Sequence, residues 1–185
     1  GDRPVADLLD QRAVVTIERR YLLRGVVSGP DGEPVPRARV LGWNVEEGSK
    51  AYAEARTDAR GAFTLTDLCA GDALVLAESD AFAPKLVPAY VDPDADATET
   101  EADSGLTVTV APGVALEGRV VDDEGAPVEY AYVSVQRWGA VDKLGWRART
   151  GTDGGFRWDH APEGEVILRV SARGCKDREA VALRA

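Results

Sequence analysis

Residues 23–35 read LRGVVSGPDGEPV and residues 116–128 read LEGRVVDDEGAPV, so one string of glycines, prolines and valines occurs twice at a spacing of 93. The spacing holds without a gap from Leu23 to Lys85. Beyond the quoted stretch it pairs Ala55, Arg56, Thr57, Gly61, Phe63 and Gly71 with Ala148, Arg149, Thr150, Gly154, Phe156 and Gly164. Chance similarity does not keep one spacing through so many turn residues, so the chain contains two tandem repeats.

Each repeat has the pattern of a β-sandwich. Short valine-rich segments are bounded by turn residues such as Asp31-Gly32-Glu33-Pro34, where glycine supplies a positive φ. Leu116, Gly118 and Val120 alternate with other residues, the period of a strand that buries one face. The 185 residues suffice for two modules of roughly 80–100 residues each. The sequence therefore predicts an all-β protein made of two tandem Greek-key β-sandwich modules.

Both repeats carry L-x-G-x-V, then D/E-G-x-P-V, A-x-V and T-x-x-x-G-x-F. This combination resembles the carboxypeptidase regulatory-like domain, which has a transthyretin-like (prealbumin-like) fold. The resemblance extends over most of the chain from about Tyr21 onward. It implies an accessory module of the kind found repeated in secreted and cell-surface bacterial proteins and beside peptidase domains. Because fold does not determine function, the resemblance leaves the activity open.

The repeats predict the domain boundaries. Module 1 is expected over residues 21–111 and module 2 over residues 112–185, joined at Ala111-Pro112-Gly113. This linker is so short that the two modules should be held almost rigidly. Residues 1–20 remain as an N-terminal segment.

The N-terminal segment contains a short β-branched run. Val14-Val15-Thr16-Ile17 precedes Leu23 much as Thr107-Val108-Thr109-Val110 precedes Leu116. We therefore expect it to be the last strand of a preceding module, and the parent protein to be a longer array.

The charge balance argues against two classes of partner. The formal net charge is -10 and the isoelectric point is about 4.7. Such a surface repels the phosphates of nucleic acids and of anionic membranes. There is also no run of about 20 apolar residues that could span a bilayer. We expect neither nucleic-acid binding nor membrane insertion.

The histidine content argues against catalysis. His160 is the single histidine, and we expect it in a turn before Pro162. A zinc carboxypeptidase site, the iron site of ring-opening dioxygenases and the site of the transthyretin-like hydrolase all need more than one histidine. No G-x-S-x-G nucleophile motif occurs either. The sequence therefore predicts that the chain is not an enzyme and needs no cofactor.

Cys69 and Cys175 are the only cysteines. Two widely spaced cysteines do not make a disulfide framework, and we expect two small buried apolar side chains. A disulfide between the modules is the alternative.

The acidic stretch near the end of module 1 offers a possible calcium site. Asp92, Asp94 and Asp96 have the D-x-D-x-D opening of a calcium loop. However, Ala97 stands at the sixth position, where the loop requires glycine, and Asp103 stands at the twelfth in place of glutamate. A solvated acidic loop is the simpler interpretation, with weak calcium binding as the alternative.

Module 2 also concentrates aromatic residues. Tyr130 and Tyr132 are expected on one face of a strand, opposite Ala131, while Trp138 and Trp146 flank a predicted hairpin end. Exposed rings of this kind stack on sugars or bind proteins, although they can equally cover the sheet or the junction between modules.

These observations predict a structural spacer or adhesion module of a larger extracytoplasmic bacterial protein, periplasmic, secreted or on the cell surface. Its partners would be the other domains of that protein. The alternative is a module that binds carbohydrate or a surface protein through Tyr130, Tyr132, Trp138 and Trp146. A spacer predicts that Trp138 and Trp146 are buried or scattered, whereas a binding module predicts that they are exposed together.

Overall fold

The computed structural model of the protein describes residues 19–45, 52–94, 105–142 and 144–174, together with the backbone of 178–184. All regular elements in this part of the chain are β-strands, which confirms the predicted all-β fold. The N-terminal run Val14–Ile17, Asp96 and Cys175 lie outside the described residues.

Module 1 is a sandwich of two sheets. Its strands are β1 (Tyr21–Ser28), β2 (Arg39–Asn44), β3 (Tyr52–Arg56), β4 (Ala62–Leu68), β5 (Gly71–Glu78), β6 (Lys85–Val91) and β7 (Leu106–Thr109). One sheet has the order β4-β1-β7, with β1 antiparallel to β4 and parallel to β7. The other has the antiparallel order β3-β2-β5-β6. Buried residues from both sheets form one core, among them Val27 and Phe63 of the first sheet and Val40 and Val75 of the second.

Module 2 repeats this arrangement. Its strands are β8 (Val114–Arg119), β9 (Tyr132–Trp138), β10 (Val141–Asp142), β11 (Arg147–Arg149), β12 (Gly155–Ala161), β13 (Glu165–Ser171) and β14 (Arg178–Arg184). β12 pairs with β8 as β4 pairs with β1, and the order β11-β9-β13-β14 matches β3-β2-β5-β6. The short β10 is an addition that also pairs with β9.

The shared motif residues form the same cross-strand pair in each module, Gly25 with Phe63 and Gly118 with Phe156. Gly25 lies under the ring of Phe63, and a Cβ on Gly25 would come within 2.7 Å of that ring. The same relationship holds between Gly118 and Phe156, where a Cβ would come within 2.3 Å of the ring. The glycine of L-x-G-x-V is therefore required because the aromatic of T-x-x-x-G-x-F takes the space of its side chain.

The threonine of the second motif ties a loop to the core. Thr57 Oγ1 accepts a hydrogen bond from Ala38 N at 2.8 Å and donates one to Val35 O at 2.6 Å. Thr150 makes the equivalent bonds at the same distances. Both threonines are buried, and their hydroxyls are thus fully used.

The two modules also share apolar packing. Leu41 on β2 and Leu76 on β5 point away from the core of module 1, yet both are buried. They belong to the same cluster of buried residues as Leu144, Val141 and Trp158 of module 2. Module 2 thus covers the part of the outer face of the β3-β2-β5-β6 sheet around Leu41 and Leu76.

Candidate functional site: the groove between the two modules

A three-residue charge cluster lies on the outer face of the β3-β2-β5-β6 sheet. Arg39 on the central strand β2 bonds Glu54 on β3 through Nε at 2.8 Å and through Nη2 at 3.1 Å. Its Nη1 bonds Glu78 on β5 at 3.1 Å. One guanidinium thus bridges two carboxylates on the neighbouring strands, a geometry suited to its planar set of donors.

Glu78 extends this cluster to module 2. Its Oε1 accepts a hydrogen bond from Gly145 N at 2.6 Å. Gly145 lies in the loop between β10 and β11, next to the buried Leu144. A Cβ on Gly145 would lie 3.2 Å from Glu78 Oε2 and 3.5 Å from Arg39 Nη1, a tight fit that favours glycine here. The loop is therefore held by an apolar contact and a polar contact side by side.

The cluster shifts the ionisation of its members. The hydrogen bond from Arg39 lowers the pKa of Glu54 below its ordinary value, and the hydrogen bond to Glu54 raises the pKa of Arg39. Burial raises the pKa of Tyr52, and this rise is opposed by the positive charge of Arg39. At neutral pH Arg39 is therefore a cation, Glu54 a carboxylate and Tyr52 a neutral phenol.

A groove of about 1200 Å³ runs alongside this cluster and is lined by both modules. Its lining is rich in arginine, although the whole chain is acidic: Arg37, Arg39, Arg56, Arg147 and Arg157 all contribute. Trp146 forms one wall and is stacked on Trp158, with ring centroids 4.8 Å apart and an interplanar angle of 16°. Two of these arginines already bond carboxylates of the protein, Arg39 with Glu54 and Glu78 and Arg157 with Glu117 and Asp159. The groove therefore combines a flat aromatic surface with the other three guanidinium groups, whose donors suit carboxylate or sulfate groups.

The structure separates the four predicted aromatic residues. Tyr130 is 67% exposed and precedes β9, in the left-handed region with φ 58°. Tyr132 is partly exposed and lines a second, smaller groove together with Trp146. Neither Tyr130 nor Trp138 lines either of these grooves, as far as the described residues define them.

Trp138 faces the core because of a β-bulge. On β13, Leu168 pairs with Val135 and Val166 pairs with Trp138, so β9 has one more residue than β13 over this stretch. The extra residue reverses the alternation, and Trp138 points to the same side as the buried Val135. Its Nε1 donates to Glu163 O at 3.3 Å. The strand period alone could not have predicted this orientation.

Of the two turns predicted near the groove, one is present and the other is not. A tight turn at Gly139, with φ 55°, joins β9 to β10, in agreement with the predicted hairpin end. His160, however, was predicted in a turn and instead lies within β12, where it lines the groove. The prediction was wrong because β12 continues past an irregularity between Trp158 and Ala161.

The described part of the acidic loop does not itself assemble a cation site. Asp92 Oδ1 accepts a hydrogen bond from Asp94 N at 2.9 Å, which closes a local turn. Among the described residues no three acidic, histidine or cysteine side chains are grouped as metal ligands. Asp96 lies outside them, so calcium binding stays a prediction.

Cys69 is half-buried beside a polar pair. Arg20 Nη1 lies 2.8 Å from Cys69 Sγ, and Asn44 accepts from Cys69 N and donates to Cys69 O, at 2.9 and 2.8 Å. The predicted apolar environment is thus only partly present. Pairing with Cys175, which lies outside the described residues, stays a prediction.

Sequence reasoning missed the contact between the modules beside the Arg39 cluster, although a comparison of the two repeats contains a signal for this contact. Leu41 and Leu76 are replaced at the equivalent positions of module 2 by Ser134 and Arg169. A strand that is apolar on both faces is buried on both. The comparison of the repeats therefore indicates a covered outer face in module 1 alone.

Comparison with known proteins agrees with this fold. The sequence pattern of the carboxypeptidase regulatory-like domain matches residues 23–111 and 115–185, which confirms the resemblance. This is a non-catalytic domain. No curated protein matches the chain, and no helix among the described residues is long and apolar enough to cross a membrane.

Several solved structures are similar at low identity. A streptococcal ancillary pilin is 15% identical, with 90% of this chain and 58% of the pilin covered, at a TM-score of 0.33. Chlorocatechol 1,2-dioxygenase from Pseudomonas putida is 15% identical over 50% of this chain and 59% of the enzyme, at 0.35. A DUF3823 family protein from Parabacteroides merdae is 13% identical over 91% and 99%, at 0.36. The chain thus spans less than two thirds of the pilin and of the dioxygenase.

Proposed function

This chain belongs to the carboxypeptidase regulatory-like domain family, as two tandem domains, and we propose that it is a rigid, non-enzymatic spacer in a larger extracytoplasmic bacterial protein. In that role it would hold the neighbouring domains of the parent protein at a constant distance and direction. The observation that carries the proposal is the burial of Leu144 of module 2 in one cluster with Leu41 and Leu76 of module 1.

The connection between the modules supports rigidity. Ala83 N donates to Ala111 O at 3.0 Å, which fastens the start of the linker to module 1. At the other end, a Cβ on Gly113 would lie 2.5 Å from the backbone of His160, so the linker lies directly on β12. The linker leaves little room for a hinge, because its first residue is hydrogen-bonded to module 1 and its last residue packs on module 2.

The proposal is tested by the rotational diffusion of the two modules. NMR relaxation should give a single tumbling tensor for both modules of the wild-type chain. Leu144→Asp places a charge in the shared cluster and should let the modules tumble separately. Val45→Asp adds the same charge at an exposed position of module 1 and should leave the single tensor unchanged. Separate tumbling of the wild-type modules would exclude a rigid spacer.

Location is tested independently. Fractionation of the bacterial source should recover the parent protein from the periplasm, the medium or the cell surface. Recovery from the cytosol would contradict the extracytoplasmic part of the proposal.

A second candidate function is the binding of an acidic polysaccharide. It is favoured by the arginine-rich lining of the groove in an otherwise acidic chain and by the stacked wall of Trp146. Tryptophan fluorescence titrated with a polyuronate should then show a saturable change that Trp146→Ala abolishes. A neutral polysaccharide is the matched control, and a flat response to both leaves the spacer function alone.

A further inference from the structure

The two modules differ in charge at six equivalent positions on the outer face of the sheet that contains β2 or β9. Cross-strand partners share a face, so these positions form two rows across three strands. In module 1 the rows are Glu54, Leu41 and Leu76, and then Arg56, Arg39 and Glu78. In module 2 they are Arg147, Ser134 and Arg169, and then Arg149, Tyr132 and Ser171. Two arginines and two glutamates in module 1 thus correspond to three arginines and no acidic residue in module 2. We call the six positions of module 2 the basic face.

The residue types of the basic face favour contact with water. The two leucines that are buried at the junction in module 1 are replaced here by Ser134 and Arg169. Burial of an arginine among apolar groups costs free energy, so these residues disfavour the apolar cover that module 1 has. Arg147 and Arg149 are exposed, and Tyr132 is 38% exposed. The face therefore presents an aromatic ring and guanidinium groups together.

Two of the three arginines supply positive charge that the protein does not neutralise locally. Among the described residues no ion pair includes Arg147 or Arg149. Arg169 differs from them, because Glu179 on β14 stands opposite it. In a chain whose formal net charge is -10, a local excess of arginine attracts an anion that the rest of the surface repels.

The basic face and the groove between the modules meet at Trp146. The smaller groove, of about 420 Å³, lies on the basic face and is lined by Tyr132 and Ser134. Trp146 and Arg147 line both this groove and the groove between the modules. An extended ligand bound between the modules can therefore continue onto the basic face without leaving the protein surface.

We propose that the basic face is a second subsite for a linear polyuronate, whose chain runs from the groove between the modules past Trp146 to Tyr132. Arg147 and Arg149 bind carboxylates of the chain, and Tyr132 packs against a sugar ring. Each unit of a polyuronate combines a carboxylate with an apolar ring face, which matches guanidinium groups beside an aromatic ring. An acidic polypeptide offers the carboxylates without the rings. This subsite rests on the second candidate function, because it extends the same ligand beyond the groove.

Isothermal titration of the whole chain with polygalacturonate of one chain length tests the proposal. Arg149→Glu should weaken binding about tenfold, the loss expected for one hydrogen bond to a charged group. Tyr132→Ala should weaken it about fivefold, through the lost packing of an aromatic ring. Arg60→Glu makes the same change in charge in an exposed turn of module 1 and should stay within about twofold of wild type, because salt screens distant charges.

A milder variant and a second polymer complete the test. Arg149→Gln removes the charge without adding a carboxylate, so it should fold as wild type does and still bind more weakly. Poly-L-glutamate offers similar charge on a polypeptide and should bind clearly more weakly than polygalacturonate.

The outcomes separate the subsite from the function on which it rests. If polygalacturonate binds wild type, Arg149→Glu and Tyr132→Ala equally, the ligand occupies only the groove between the modules, and the subsite is excluded while the second candidate function stands. If wild type does not bind polygalacturonate at all, both are excluded. Equal affinity for poly-L-glutamate would overturn carbohydrate as the ligand of the basic face.

Discussion

Glu78 Oε1 and Gly145 N lie 2.6 Å apart, joined by a hydrogen bond from module 2 to a carboxylate of module 1. The other oxygen of Glu78 accepts a hydrogen bond from Arg39, which also donates to Glu54. The side chain of Glu78 is 13% exposed and that of Glu54 is 44% exposed. The two acidic partners of one arginine therefore differ in environment, and only Glu78 reaches across the junction.

Removal of Glu78 should destabilise the protein more than removal of Glu54. Glu78→Ala leaves Gly145 N and one face of Arg39 without an acceptor, and hydrogen bonds to charged groups contribute about 1.5–3 kcal/mol. Glu54→Ala removes an exposed ion pair, which contributes less because solvent screens it. Urea unfolding of both variants measures the two free energies. Equal losses would show that the bond to Gly145 contributes nothing.

The contribution of Glu54 should depend on pH in the acidic range. Its pKa in the folded protein lies below the ordinary value of 4.5 because Arg39 bonds the carboxylate. The resulting stabilisation is present above that ordinary value and is lost as the pH falls through the lowered pKa. The difference in free energy of unfolding between wild type and Glu54→Gln should therefore be constant near neutral pH and shrink below about pH 4.5. A difference that grows on acidification would contradict the ion pair.

The repeat made most of the fold predictable, because contacts within each module require the residues that the two repeats share. Gly25 and Phe63, like Gly118 and Phe156, occupy one shared volume, so this contact specifies which strands pair with each other. Turn residues and the period of two then supply the strands. These constraints are local to each module, and a single sequence displays them twice.

The groove was not predictable in the same way, because it depends on contacts between modules. Arg39, Glu78 and Gly145 are far apart in sequence, and a glycine in a loop is usually explained by the turn itself. The orientation of Trp138 was not predictable for another reason: one extra residue in β9 reverses which side chains face the core. A prediction from alternation counts residues along one strand. It fails where a bulge gives that strand one more residue than its partner.

Truncation of the two motif phenylalanines should give unequal losses of stability, although they occupy equivalent positions. Phe63 is 2% exposed beneath β7, and Phe63→Ala should cost about 3–5 kcal/mol, the usual range for a buried ring. Phe156 is only half-buried, so Phe156→Ala should cost clearly less. Urea unfolding of both variants measures the two losses of stability. Equal losses would mean that the ring of Phe156 is packed as completely as that of Phe63.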